Sequence, residues 1–144
     1  MARIRSIKPS FFKNEELADL APQVRLLFIG LWTLADKEGK LEDRHKRIKA
    51  ELFPYDNFDI DQLLSKLQSA GFIVRYEVSE LKLIQVINFQ KHQRITGTEA
   101  IADSEFPDPS EGNILETFGN NEETPRIAGR ERKGKEGNPM FLFR

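Results

Sequence analysis

Apolar positions are dense and periodic along this chain up to Ile95, then thin out. Residues 2–12 read as an extended arm, because Pro9 restricts Lys8 to extended conformations and Phe11 and Phe12 look like an anchor. Asn14 is placed to cap a short helix from Glu15 to Leu20, with two acids in its first turn. Pro22 suits the first position of a longer helix. That helix runs through Val24, Leu27, Phe28, Leu31, Leu34 and Ala35 to about Asp36. Between Leu26 and Leu34 it is apolar on nearly every side, the pattern of a helix buried centrally or facing a partner.

Lys37-Glu38-Gly39 then makes a turn, with Gly39 supplying a left-handed residue. Leu41 falls in a short extended piece. Asp43 is expected to cap a helix from Arg44 to Phe53, stopped by Pro54. Asp59 with Gln62 resembles a capping box that opens a third helix carrying Ile60, Leu63, Leu64 and Leu67 on one face. Gly71 closes it. Phe72–Val78 and Leu81–Phe89 have the aromatic and β-branched content of strands. Ser79-Glu80 between them fits a two-residue hairpin without the usual Asn-Gly or Asp-Gly. The order helix, short strand, helix, turn, helix, hairpin predicts an α+β fold, mainly α: a winged helix-turn-helix spanning residues 1–95 behind an N-terminal extended arm.

From Thr96 the composition changes to Glu, Asp, Gly, Asn, Pro, Ser and Thr, and no Lys or Arg occurs between Arg94 and Arg126. A segment of that kind buries too little apolar surface to offset its ordering entropy. Residues 126–137, RIAGRERKGKEG, look like a Gly-spaced charged linker. Residues 96–144 are therefore expected to form a disordered C-terminal tail. The apolar run Met140 to Phe143 reads either as a docking peptide or as the end of an altered reading frame. Residues 1–95 hold 16 Lys and Arg against 13 Asp and Glu, while residues 96–144 hold 6 against 10. A mildly basic folded part with an acidic tail is compatible with nucleic-acid work without requiring it. The tail can also fold back on the basic residues in place of DNA.

The chain has no cysteine, which excludes disulfides and thiolate metal sites. No stretch approaches the roughly 18 apolar residues of a membrane span, so no membrane partner is expected. His45 and His92 lack acids at metal-ligand spacing, and no metal or cofactor is expected. His92 reads as a structural or surface histidine. No phosphate loop, nucleophile elbow or paired-carboxylate motif appears, which disfavours an enzyme.

Four groups of residues are candidates for DNA contact, each with a plainer alternative. The third helix would present Gln62, Ser65, Lys66 and Ser69 to base edges or phosphates, or simply to solvent. Asp56, Asp59 and Asp61 crowd its start and repel phosphate. The run Arg44, Lys46, Arg47 and Lys49 circles the second helix and can bind phosphates in a salt-dependent manner, or form an ordinary solvated face. Arg3, Arg5 and Lys8 of the arm can follow a groove or backbone, belong to an edge strand, or swap between subunits. Arg75 and Lys82 on the wing can touch phosphate. For protein contacts the candidates are Phe11, Phe12, Leu26, Ile29 and Trp32.

The opening Ala2 to Phe12, the block Val24 to Asp36 with Glu38-Gly39, Lys49 to Asp56, Leu67 to Arg75 and the exit Phe89 to Gln93 together resemble a group of phage or prophage replication (replisome-organiser) proteins. More distantly, residues 1–95 are similar to the winged-helix front domains of DnaD-like primosomal proteins. The resemblance implies a non-enzymatic DNA-binding module for replication initiation in the bacterial host cytoplasm. It also implies duplex or single-stranded DNA, self-association, and a host helicase or helicase loader as partners. A protein-interaction or oligomerisation platform and a prophage transcriptional regulator remain as alternatives on the same fold.

Overall fold

The computed structural model describes residues 2–101, 104 and 106–115. The chain is α+β, and among the described residues six α-helices accompany a four-stranded antiparallel sheet. Helix and strand are thus more evenly mixed than the mainly-α expectation. After a 3₁₀ turn at Pro9–Lys13 come α1 (Glu15–Ala18), α2 (Pro22–Leu34), β1 (Lys40–Glu42), α3 (His45–Leu52) and α4 (Ile60–Ser69). They are followed by β2 (Ile73–Val78), β3 (Leu81–Val86), α5 (Phe89–His92), α6 (Thr98–Ile101) and β4 (Asn113–Ile114).

Local chemistry explains most boundaries. The Asn14 side chain accepts the Leu17 N–H and starts α1, and Pro22 occupies the first turn of α2. Val24, Leu27, Phe28, Leu31 and Trp32 form the buried stripe of α2, while Leu26 points to solvent. Past Leu34 the Asp36 carboxylate accepts the backbone N–H groups of Glu38 and Lys40, an Asx-type turn that ends the helix. Gly39 completes it at φ +85°, where a Cβ would lie 2.6 Å from the Phe89 side chain. Asp59 caps α4 by accepting the Gln62 N–H, one of the two bonds of the expected capping box. Ser79 and Glu80 both take positive φ, 51° and 70°, so the hairpin turn is built without glycine.

Two boundaries differ from expectation. Asp43 does not cap α3, whose N-cap is Arg44 without a side-chain bond; its carboxylate is committed to Arg75 instead. The last strand stops at Val86 rather than Phe89 because Asn88 adopts a left-handed conformation (φ 59°), and Phe89 begins α5.

The sheet order is β1-β3-β2-β4, with Leu41 opposite Ile84 and Arg75 opposite Ile84 from the other side. The apolar buried residues of α2 and α4, with Ile73 of β2 and Ile84 and Val86 of β3, share one core with Phe53 and Phe89. The fourth strand comes from the segment expected to be tail. Asn113–Ile114 pairs with Glu77 and Tyr76 and covers the outer edge of β2, an edge that would otherwise expose unpaired backbone groups. The Tyr76 hydroxyl donates to Pro107 O at 2.7 Å, and burial raises its pKa to about 12. Lys40, almost fully buried, is ion-paired to Glu38 and Asp108. The packed body thus extends to Leu115, twenty residues beyond the expected boundary at Ile95. The expectation of disorder for 116–144, together with the charged linker and the Met140–Phe143 run, falls outside the described residues.

Candidate nucleic-acid interface

The structure divides the predicted contact residues into exposed and structural groups. On α3, Arg44, Lys46 and Arg47 are exposed along with His45. Arg44 makes a loose 3.4 Å pair with Glu42, while Lys49 is half-buried and donates to Phe53 O. On α4, Gln62, Lys66 and Ser69 are exposed in one stripe at helical spacing. Lys82 is exposed on β3.

The remaining cations hold the fold together. Arg75 is not a wing residue facing solvent. Its guanidinium donates from Nε to Asp43 Oδ2 at 2.7 Å and from Nη2 to Asp43 Oδ1 at 3.0 Å. It also reaches Asp61 Oδ1 at 2.6 Å and Ser65 Oγ at 3.2 Å. Burial lowers its pKa, but the hydrogen bonds and charges of Asp43 and Asp61 more than reverse this and raise it overall. Ser65, expected to face DNA, is buried as part of this network.

The arm is likewise structural. It forms no strand among the described residues. Arg5, with its side chain 5% exposed, donates to Trp32 O and Ala35 O at 2.9 Å each, satisfying carbonyls at the C-terminal end of α2. It forks onto both Glu99 oxygens at 3.0 Å and stacks over Phe89. Arg3 joins the same carboxylate at 3.1 Å. The hydrogen bond from Arg5 is the main cause holding the Glu99 pKa below the usual carboxylate range. Among the described residues of the acidic segment, Glu99 folds back on Arg3 and Arg5 and Asp108 on Lys40. Lys8 stays exposed and donates to Lys91 O at 2.6 Å.

Of the residues proposed for protein contact, Phe11 and Trp32 are buried and edge-on to each other at 5.6 Å. Ile29 packs against the core. Phe12 and Leu26 remain on the surface, at 70% and 53% exposure. The sequence reading missed Asp43, Asp61, Glu99 and Asp108 as partners, and nothing in local spacing identifies them.

His92 stacks on Trp32 at 5.0 Å and meets Phe28 edge-on. Burial, with the charges of Lys8 and Lys91, pushes its pKa down to about 4. An unfolded histidine titrates near 6.5. Between those values the unfolded chain binds the proton and the folded chain does not, so stability falls as pH drops from about 6.5 to about 4. Urea denaturation is expected to show about 2–3 kcal/mol less stability from this group at the acid end. A His92→Gln variant should lose that part of the pH dependence, and an identical profile in variant and parent would contradict the assignment.

A cleft of about 370 Å³ lies between the arm and α3, with Arg3, Arg44 and Arg47 facing Asp36, Glu42 and Glu51 across it. Its mixed charge makes it a poor anion trap. Among the described residues no cluster of three or more His, Asp or Glu could hold a metal, and no helix is long and apolar enough to cross a membrane. Compared with protein-family models, with curated proteins and with solved structures, the chain matches none.

Proposed function

We propose that this chain is a non-enzymatic DNA-binding module of winged-helix type, serving replication initiation as its resemblance to phage and prophage replisome-organiser proteins implies. The observation that carries the reading is the exposed cationic run Arg44, Lys46 and Arg47 at the start of α3, beside an α4 whose outward stripe is Gln62, Lys66 and Ser69. The element order α2-β1-α3-α4-β2-β3 and the strand order β1-β3-β2 support the winged-helix reading. The acids at the start of α4 oppose phosphate less than their number suggests. Asp59 is engaged as the helix cap, and Asp61 shares the Arg75 guanidinium with Asp43. A host helicase or its loader is the partner class this reading carries with it, in a bacterial cytoplasm.

Fluorescence anisotropy of the whole chain with duplex and single-stranded DNA across a salt series tests it. The whole chain is needed because truncation at residue 95 would remove Glu99, Asp108 and β4. Affinity is expected to fall with salt, each phosphate contact contributing about 0.9 to the log–log slope. Changing Arg44, Lys46, Arg47 and Lys49 together to alanine should lower that slope by about 3. Absence of binding at about 50 mM salt, where phosphate contacts are strong, would end the reading. The alternative interaction platform is favoured by one feature, the exposed Phe12 and Leu26. Light scattering that finds a monomer at high concentration counts against self-association through them.

A further inference from the structure

A second cleft, also of about 370 Å³, has a chemistry that DNA contact by α3 does not use. Lys8 and Lys13 bracket the 3₁₀ turn at its rim, and Lys91 of α5 faces the same space. Among the described residues no carboxylate lines it, in contrast to the cleft beside α3. Phe11, Leu17 and Trp32 supply an apolar wall. Trp32 is 1% exposed, and its indole N–H has no hydrogen-bond partner among the described residues. A buried donor left in that state is costly to the fold, and a ligand oxygen brought within hydrogen-bond distance of it would satisfy it.

The lysines concentrate positive charge where, among the described residues, none of them is ion-paired. Lys8 spends one of its three ammonium protons on Lys91 O, leaving two for a ligand. The depressed basicity of His92, caused first by burial and then by Lys8 and Lys91, reports the same positive field. Three ammonium groups act as point charges rather than as planar forks, a mode in which lysine commonly holds phosphate. A dianion also answers three cations better than a monoanion does. The cleft falls within the roughly 300–1,000 Å³ range of small-ligand sites and is larger than a bare phosphate needs.

We propose that this cleft binds a small phosphate monoester, with the phosphate held by Lys8, Lys13 and Lys91 and the body of the ligand against the Phe11–Leu17–Trp32 wall, the indole N–H donating to a ligand oxygen. The site is independent of the α3 face and stands or falls separately from DNA binding.

The chain has one tryptophan, so a proton–nitrogen correlation spectrum of the intact protein contains a single indole resonance, from Trp32. It is titrated with inorganic phosphate, with uridine 5′-monophosphate and with uridine at constant ionic strength. The expected result is saturable movement of that resonance with both phosphates and none with uridine. A Lys13→Gln/Lys91→Gln variant, altered only at exposed positions, should weaken both midpoints by about 10-fold or more. Tighter binding of the nucleotide than of phosphate places the apolar wall in the site, whereas equal binding removes the wall from the proposal. Stillness of the indole up to about 10 mM of either phosphate overturns it. So does movement reproduced by sodium chloride, or a midpoint unchanged in the lysine variant. Duplex DNA that moves the resonance while both phosphates leave it still would make the cleft part of a DNA surface and overturn the small-ligand assignment.

Discussion

Replacing Arg75 by alanine is expected to destabilise the protein by about 3–5 kcal/mol, the usual cost of breaking a buried ion pair from one side. The Asp43 side chain is 2% exposed and receives two of the guanidinium N–H groups. Removing Arg75 leaves that carboxylate buried and uncompensated, with Ser65 also losing a donor. The effect reaches beyond stability. Asp43 lies just before α3, Asp61 and Ser65 lie on α4, and Arg75 itself is on β2. One guanidinium thus fixes the angle at which α3 and α4 present their outer faces. Urea denaturation of Arg75→Ala and of an Arg75→Met/Asp43→Leu double variant separates the two halves of this argument. The double variant removes both charges and should recover most of the loss, because an apolar pair of similar volume is often no less stable than a buried ion pair. A single variant within about 1 kcal/mol of the parent would mean that Asp43 is adequately solvated without its partner.

That network also marks where the sequence stopped being legible. Pro22, Gly39, the Asp59–Gln62 spacing, Gly71 and the Ser79-Glu80 turn act on their immediate neighbours, and each lies where local rules put it. Asn88 escaped those rules because its left-handed conformation is set by the need to turn Phe89 into the core, beside Gly39. The cations failed differently. Arg5 and Arg75 look like surface charges in sequence because their partners, Glu99 and Asp43, stand 94 and 32 residues away. An ion pair across such a separation has no periodicity to read. The same gap hid the role of residues 96–115. Their acidity reads as solvated tail, yet Glu99 and Asp108 are the counter-charges for Arg5 and Lys40. Composition was a fair guide to what the segment lacks, apolar surface of its own. It could not show that the body already contained two cations awaiting it. Of the candidate site, Arg44, Lys46 and Arg47 were legible, because an exposed charge on an amphipathic helix needs no distant partner to be recognised, whereas Lys49 of the same run is half-buried.

Phe28→Ala should cost about 3–5 kcal/mol, the range for deleting a fully enclosed aromatic side chain. Phe28 is completely buried on the inner stripe of α2. Its ring lies 6.4 Å from Phe11, 5.4 Å from Trp32, 5.2 Å from Phe72 and 5.8 Å from His92. Those four rings come from the arm, α2, the start of the hairpin and α5, so their rigid arrangement resists collapse around a deletion. The cavity contribution therefore stays near its upper range rather than relaxing away. Phe28→Leu keeps most of the volume and should lose only about 1–2 kcal/mol by chemical denaturation. A large gap between the two variants assigns the loss to the cavity. Equal losses would assign it to the ring geometry, since the aromatic ring contacts, worth about 0.5–1.5 kcal/mol each, are absent from both. The same pair of variants reads the coupling between core and cleft, because Trp32 and His92 line the lysine-rimmed cavity and rest directly on Phe28. If packing on Phe28 holds the indole in place, Phe28→Ala shifts the Trp32 indole resonance in the absence of any ligand, and Phe28→Leu shifts it less.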